Sequence, residues 1–186
     1  MSTNQQISDY IFFYPDVMDA KTCEWIINRY ETTAKWKDST FATAYKNTGT
    51  SKVSMQEYWI GTPSPYYKEM KESFEYCVDD YTHFHDNIKS TEYTDFRMNR
   101  YIKGGFMQSH IDNIHHSHGQ KQGYPHLTSL LFLNDDYEGG EFVLCGDKHI
   151  EKIQGSAVVF PSNFMYPHEV KEVTEGKRYS IMTWIL

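Results

Sequence analysis

The chain has 186 residues, a length that suits one domain with a sizeable hydrophobic core. Its composition, 39% hydrophobic, 23% charged and 16% aromatic, is that of a globular protein rich in rings. The net charge of −7 argues against a general nucleic-acid binder, which would normally be basic. The sequence lacks an apolar run of membrane-spanning length and the pattern of a signal peptide. We therefore expect a cytoplasmic protein whose three separated cysteines are reduced thiols.

The N-terminal half is predicted to supply supporting elements. A short aromatic-rich strand over 9–14 precedes a helix of roughly 15 residues, for which Asp19 is the expected N-cap. The buried stripe of this helix is Cys23, Ile26, Ile27 and Tyr30. A strand over 53–60 leads to a longer helix with Ser64 as N-cap and Pro65 at its first position. The apolar stripe of this second helix is Met70, Phe74, Cys77, Val78 and Tyr81.

The segment between these elements, residues 37–56, is polar and carries the turn signal Asn47-Thr-Gly49. Two interpretations stay open for it. It is either an ordinary surface loop or a flap that closes over a binding site, as many enzyme loops do.

From residue 94 onward, short strands and tight turns dominate. Gly104-Gly105, Glu138-Gly-Gly140 and Gly146-Asp147 mark the turns between them. Six or seven short strands with turn signals predict a mostly β fold with helices, a double-stranded β-helix of the jelly-roll, cupin-like type. We expect a single domain over 1–186. In it, the helices of 1–93 pack on one sheet of a catalytic jelly-roll core formed by 94–186.

The chemistry concentrates in His110-Ile-Asp112, where an imidazole and a carboxylate two residues apart share one face of an extended segment. A second imidazole, His168, would complete a two-histidine, one-carboxylate set, which holds non-heme Fe(II) and leaves other positions open. Ten residues later, Arg178 offers a planar guanidinium suited to a carboxylate ligand. If Arg178 points into the barrel, Trp184 on the same strand face does too, which predicts a ring at the substrate pocket.

A histidine-rich loop follows Asp112. Its members are His115, His116, His118 and His126. We interpret the first three as solvated loop residues rather than a second metal site.

Three segments, 99–113, 127–144 and 166–184, resemble the catalytic domain of the prolyl 4-hydroxylase-type Fe(II)/2-oxoglutarate dioxygenases. The resemblance is closest to the oxygen-sensing and bacterial prolyl hydroxylases, because collagen-type enzymes usually carry Lys where this chain has Arg178. It implies the jelly-roll fold and a protein or peptide substrate with a target proline. It also implies Fe(II), 2-oxoglutarate as co-substrate and O2, with ascorbate as a candidate stimulant.

The resemblance also implies roles for individual residues. His110, Asp112 and His168 would bind the iron, and Arg178 would anchor the distal carboxylate of 2-oxoglutarate. Tyr101 matches a tyrosine near the metal-proximal end of the co-substrate. Thr128 matches a position whose hydroxyl can assist the distal carboxylate.

Alternative functions stay open. Hydroxylation of a free amino acid or another small molecule is the strongest rival. Repair of alkylated nucleic-acid bases uses the same fold, but such enzymes typically carry an arginine where this chain has Trp184. A non-enzymatic jelly-roll binding module would not need the complete ligand set together with Arg178. The sequence predicts no membrane partner and leaves the oligomeric state open.

Overall fold

The computed structural model describes residues 6–39, 53–88, 92–112 and 125–186. These residues form a 3-10 helix over Ile7–Tyr10 and two α-helices, α1 (Ala20–Thr33) and α2 (Tyr67–Phe84). Their strands are β1 (Phe12–Tyr14), β2 (Lys37–Asp38), β3 (Val53–Ser54), β4 (Gln56–Ile60), β5 (Phe96–Ile102), β6 (Phe106–His110), β7 (Leu127–Phe132), β8 (Glu138–Gly139), β9 (Phe142–Leu144), β10 (Lys148–Ile150), β11 (Ala157–Pro161), β12 (His168–Val170), β13 (Val173–Glu175) and β14 (Lys177–Ile185).

Most strands belong to two antiparallel sheets. The larger sheet has seven strands in the order β1-β11-β7-β14-β5-β4-β2, and the smaller has five in the order β10-β9-β12-β6-β3. β13 and β8 form a separate two-stranded ribbon. The predicted class, mostly β with two helices, is confirmed. From residue 94 onward, the described strands β5 to β14 outnumber the six or seven predicted there. Several of them have only two or three residues, too few for a periodic pattern.

The seven-stranded sheet carries a hydrophobic core on each face. On one side Leu131 belongs to a core shared with Ile26 of α1 and Phe74 of α2. On the other side Leu130 belongs to a core shared with Phe142 and Val170 of the five-stranded sheet. Because successive strand residues point to opposite faces, β7 supplies side chains to both cores and is buried along its whole length.

The N-terminal segment differs in part from its prediction. Residues 9–14 do not form one strand, because the 3-10 helix Ile7–Tyr10 occupies the first part and β1 begins only at Phe12. The predicted helix N-cap is correct. Asp19 Oδ1 accepts a hydrogen bond of 3.0 Å from Thr22 N.

α2 begins later than the Ser64-Pro65 pattern predicted, so those cap assignments were wrong. Tyr67 N donates to Ser64 O at 3.3 Å, which makes a turn ahead of the helix. Pro65 O accepts the Tyr30 hydroxyl at 2.7 Å, so a contact with α1 holds this turn. Tyr66, with φ of 60°, is the residue before the helix. In the described residues, neither helix is long and apolar enough to cross a membrane.

Two predicted loops lie largely outside the described residues. The predicted flap, 37–56, includes residues 40–52, and the histidines His115, His116 and His118 fall within 113–124. The ends of the flap segment are described. β2 pairs with β4 in the larger sheet, and β3 pairs with β6 in the smaller one. The segment therefore connects the two sheets, and its closure over a site stays a prediction.

The packing of α2 on the larger sheet generates a stability prediction. Phe96 is fully buried, with ring centroids 4.7 Å from Tyr67 and 5.0 Å from Phe74. Phe96→Ala should lower the free energy of unfolding by about 3–5 kcal/mol, because it removes a large ring and leaves a cavity. Urea denaturation measures the change. Phe164→Ala is the control, since that side chain is 77% exposed and its loss should cost less than about 0.5 kcal/mol. Equal destabilisation by both variants would contradict this account of the core.

Candidate metal centre

Two histidines meet across neighbouring strands of the smaller sheet. β6 ends at His110 and β12 begins at His168, and the antiparallel register sets the two residues opposite each other. Opposite residues of an antiparallel pair present their side chains on the same face. The two imidazole centroids accordingly lie 4.2 Å apart.

Asp112 completes the group. It lies in a bend just beyond the end of β6, not on the extended segment that the sequence predicted. Its Oδ1 is 3.7 Å from His110 Nε2, and its Oδ2 is 3.6 Å from His168 Nε2. One ligand atom from each residue lies within 4.8 Å of the others. The three side chains can therefore converge on one ion, and two imidazoles with one carboxylate could hold iron.

Backbone carbonyl groups orient both imidazoles. His110 Nδ1 lies 3.0 Å from Gln108 O, and His168 Nδ1 lies 3.2 Å from Tyr166 O. When Nδ1–H donates to a carbonyl, the Nε2 lone pair is left to bind a metal. Burial and the neighbouring His168 lower the pKa of His110 to about 3. His110 is therefore neutral at neutral pH, which is the form that binds a metal.

The Asp112 carboxylate is buried but stays ionised. Burial opposes its charge, yet His168, His110 and a hydrogen bond from Thr128 outweigh burial and hold the pKa of this carboxyl well below its usual range. Thr128 Oγ1 donates to Asp112 Oδ2 at 2.7 Å and lies 2.8 Å from Ser162 Oγ. The donor set is thus two imidazoles and one ionised carboxylate, each held by a neighbour.

Aromatic rings shield the group from water. The ring centroid of Phe160 lies 5.0 Å from that of His168, and the centroid of Phe142 lies 5.5 Å away. Both rings line the same cavity as the three candidate ligands, together with Leu130 and Val170. Apolar walls around a few polar groups are typical of small-molecule sites.

Arg178 lies in the same cavity and is 1% exposed. Its Nη1 donates to Ser180 Oγ at 3.1 Å, and its Cζ lies 5.1 Å from the Tyr101 ring and 5.5 Å from the Phe132 ring. Tyr137 lies beside Arg178. Burial raises the pKa of Tyr137, and the positive charge of Arg178 partly offsets this rise. Among the described residues, Nε and Nη2 have no hydrogen-bond partner. Buried donors of this kind suit a carboxylate ligand.

The Gly139-Gly140 turn makes room for this arginine. Gly140 has φ of +65°, and a Cβ there would lie 2.9 Å from Val173 Cγ2 and 3.2 Å from Arg178 Cδ. A larger residue would strain the backbone and press on the Arg178 side chain. The sequence marked this motif as a turn but gave no sign that it borders the cavity.

The three remaining predicted site residues differ in their placement. Tyr101 lines the cavity beside Arg178, and its role toward a co-substrate stays a prediction. Thr128 lines the cavity too, where its hydroxyl donates to Asp112, and its implied role toward the distal carboxylate stays a prediction. Trp184 is 1% exposed and does not line the cavity. Arg97 lines it instead, with its Cζ 5.1 Å from the Trp184 ring.

Sequence reasoning assigned no function to Arg97 or Glu57. Both side chains are 3% exposed, and Arg97 Nη1 lies 3.9 Å from Glu57 Oε2. A signal was present, because Phe96 and Met98 alternate with polar residues along β5. The apolar residues face the helices, so the polar ones must face the other sheet and the cavity.

Comparison with known proteins gives a family match over the C-terminal half. Residues 96–186 match the 2OG-Fe(II) oxygenase superfamily. A PKHD-type hydroxylase of Psychrobacter sp. (strain PRwf-1) is 37% identical over 83 residues, which cover 41% of this chain and 31% of that protein. A PKHD-type hydroxylase of Stenotrophomonas maltophilia (strain R551-3) is 28% identical over 128 residues, covering 66% and 56% of the two chains. The matches thus span about a third to a little over half of these relatives.

Solved structures share the fold over nearly the whole chain. One is a prolyl hydroxylase from Trichoplax adhaerens, in complex with a hypoxia inducible factor peptide fragment. It matches with a TM-score of 0.72 and 21% identity, and the match covers 96% of this chain and 84% of that protein. A Pseudomonas putida prolyl-4-hydroxylase matches with a TM-score of 0.69 and 17% identity, and the match covers 95% of this chain and 91% of that protein. The fold is therefore that of the solved prolyl hydroxylases, and residues 96–186 are similar to the 2OG-Fe(II) oxygenase superfamily.

Proposed function

We propose that this protein is an Fe(II)- and 2-oxoglutarate-dependent dioxygenase that hydroxylates a prolyl residue in a protein or peptide. One observation carries the proposal: a complete His110, Asp112 and His168 ligand set lies in one buried cavity with Arg178. We also propose that the supporting elements of 1–93 and the core of 94–186 form a single functional domain.

The three candidate ligands would hold the iron through His110 Nε2, His168 Nε2 and an Asp112 oxygen. Bound iron would supply oxidative chemistry, in which O2 is consumed, 2-oxoglutarate is decarboxylated to succinate and a C–H bond is hydroxylated. The protein keeps His110 neutral and the Asp112 carboxylate ionised, so neither of these ligands has to lose a proton at neutral pH. Thr128 fixes the orientation of the carboxylate through its hydrogen bond.

Arg178 would bind the distal carboxylate of 2-oxoglutarate. Its guanidinium is already ordered by Ser180 and by the rings of Tyr101 and Phe132, so little side-chain entropy is lost on binding. The apolar side chains of Leu130, Phe142 and Phe160 would keep water away from the reacting groups.

The prolyl substrate is supported by fold likeness, including a neighbour whose structure holds a substrate peptide fragment. Hydroxylation of a free amino acid is the second candidate. It is favoured by the buried Arg97, which lines the cavity, since a small charged substrate would match such a group. Base repair is disfavoured, because the position of the expected second arginine holds the buried Trp184.

An activity assay tests the proposal. The protein is incubated with Fe(II), 2-oxoglutarate and O2, and succinate is measured with and without proline-containing peptides and free proline. Mass spectrometry then looks for the gain of one oxygen atom. Hydroxylated peptide supports the prolyl assignment, and hydroxylated free proline supports the second candidate. If neither succinate nor hydroxylated product forms, the proposed function is wrong.

Metal binding gives the first prediction for this site. Asp112→Ala should abolish Fe(II) binding and hydroxylation, because one of three protein ligands is lost. Thr128→Val should weaken metal affinity about 10- to 100-fold, the usual effect of losing a partner that orients a ligand. Titration with Fe(II) or Mn(II) under anaerobic conditions measures both. Unchanged metal affinity in Asp112→Ala would remove this site from consideration.

The co-substrate gives a second prediction. Arg178→Ala should raise the KM for 2-oxoglutarate about 10- to 150-fold, because a charge-assisted hydrogen bond contributes about 1.5–3 kcal/mol. Metal affinity should stay close to that of the unmodified protein. Arg100→Ala is the control, since this arginine lies on the same sheet but bonds Glu31 and Gln56 outside the cavity. A KM that moves equally in both variants would count against the assignment.

A further inference from the structure

We propose that Arg97 is a specificity residue that recognises a carboxylate on the primary substrate, close to the carbon that is oxidised. This inference rests on the proposed function of the same cavity. It predicts a substrate class: a prolyl compound that carries a carboxylate beside the target ring. The carboxylate has two possible sources, the α-carboxylate of a free or C-terminal proline and the side chain of an adjacent acidic residue.

The register of the larger sheet places the two cavity arginines at different points along one face. Arg178 of β14 is opposite Tyr101 of β5, and Arg97 of β5 is opposite Met182 of β14. Four residues along β14 separate the two positions, a distance of roughly 13 Å. Both side chains line the cavity of the candidate ligands. The cavity therefore has a cationic group toward each end of this strand pair.

Arg97 belongs to the metal end of the cavity. Thr128, which bonds the Asp112 carboxylate, is opposite Trp184 on β14. Arg97 is opposite Met182, the adjacent position on the same face, whereas Arg178 lies further along the strand. A substrate whose reacting carbon faces the candidate ligands would thus come close to Arg97.

The co-substrate does not require Arg97. 2-Oxoglutarate has two carboxylates, and if Arg178 binds the distal one, the keto-acid end is directed to the metal. A carboxylate bound at Arg97 would then belong to a different molecule, and the primary substrate is the one that shares this cavity.

The guanidinium of Arg97 is held in place by its surroundings. Its Cζ lies 5.1 Å from the Trp184 ring and 5.9 Å from the Trp59 ring, contacts that suit a planar cation. Nη2 contacts the Met182 sulfur at 2.8 Å, and Glu57 Oε2 is 3.9 Å from Nη1. At that distance the Glu57 carboxylate attracts the guanidinium without accepting a hydrogen bond from it. This pair orients the cation but is not a closed bidentate salt bridge.

The charge is also costly to keep buried. Arg97 is 3% exposed, and removing a guanidinium from water carries a large desolvation penalty, which its contacts must offset. Trp59 of β4 is opposite Arg97 of β5 and is 39% exposed, so an aromatic ring extends from the guanidinium toward solvent. A charged group beside a ring suits an anion attached to an apolar prolyl ring.

The test uses matched ligands that differ only in charge. Proline is compared with prolinamide, and a capped Gly-Pro-Asp-Gly peptide with its Gly-Pro-Asn-Gly counterpart. Binding to the protein with Mn(II) and 2-oxoglutarate is measured as a dissociation constant from tryptophan fluorescence, and turnover is measured separately as hydroxylated product. The unmodified protein should prefer the carboxylate member of one pair by about 10- to 150-fold. The pair that shows the preference identifies the source of the carboxylate.

Three variants separate recognition from structure. Arg97→Met combined with Glu57→Gln removes both buried charges and should abolish the preference. Arg97→Lys keeps the charge but not the planar fork, so the preference should persist in weaker form. Lys103→Met, an exposed residue of the β5–β6 turn, loses the same charge elsewhere and should behave like the unmodified protein.

The outcomes are distinct. Loss of the preference in the double variant, with Lys103→Met unaffected, supports the inference. A purely structural role for Arg97 would weaken binding of both members of a pair equally and leave their ratio unchanged, which overturns it. Equal binding of both members by the unmodified protein also overturns it. Failure to form succinate or any hydroxylated product in all proteins would instead contradict the proposed function, and the binding ratios would still decide the role of Arg97.

Discussion

The pairing of β6 with β12 is the interaction on which the candidate metal centre depends. It sets His110 opposite His168, although the two residues are far apart in the chain. The strand ends immediately after His110, which lets Asp112 turn back between the imidazoles. Since the side-chain period of a strand is two, a slip of one residue in this pairing would turn one imidazole away from the other. The register of the smaller sheet therefore decides whether the three ligand atoms can meet at all.

Charge burial is the second organising feature of the cavity. Asp112, Arg97 and Arg178 are each 5% exposed or less, in a space walled by aromatic and aliphatic side chains. Each is retained by a specific neighbour: Thr128 for Asp112, Ser180 for Arg178, and the Trp184 ring with Glu57 for Arg97. Electrostatic interactions are stronger in such a space than in water, so a carboxylate ligand would gain more from either arginine than it would at the surface. The same low polarity makes the loss of one partner costly, because the remaining charge would stay buried without its partner.

Much of the fold and of the site could be predicted from the sequence, and the failures have identifiable causes. The Asp19 cap and the mostly β class followed from local rules, because capping and strand alternation act within a few residues. The start of α2 did not, since a hydrogen bond from Tyr30 to Pro65 stabilises a turn where local preference favoured a helix. The hydrogen bond from Thr128 to Asp112 was not foreseen, because a resemblance gives a position in the chain but not the partner of a hydroxyl. Trp184 shares a strand face with Arg178, yet Arg97 of the neighbouring strand occupies the cavity in front of that part of the sheet.

The sequence by itself determined the donor set: two histidines, one aspartate and one arginine, with spacings and flanking residues that resemble those of a known oxygenase family. It determined the alternation along β5 that sends Phe96 to the helices and Arg97 to the opposite face. Tertiary structure alone decided which residues of different strands become neighbours. The opposition of His110 and His168, the room that Gly140 leaves for Arg178 and the approach of Glu57 to Arg97 all arise from strand pairing between distant segments. The physical reason is that local sequence fixes the direction of a side chain relative to its own strand, whereas register and sheet packing fix what that side chain meets.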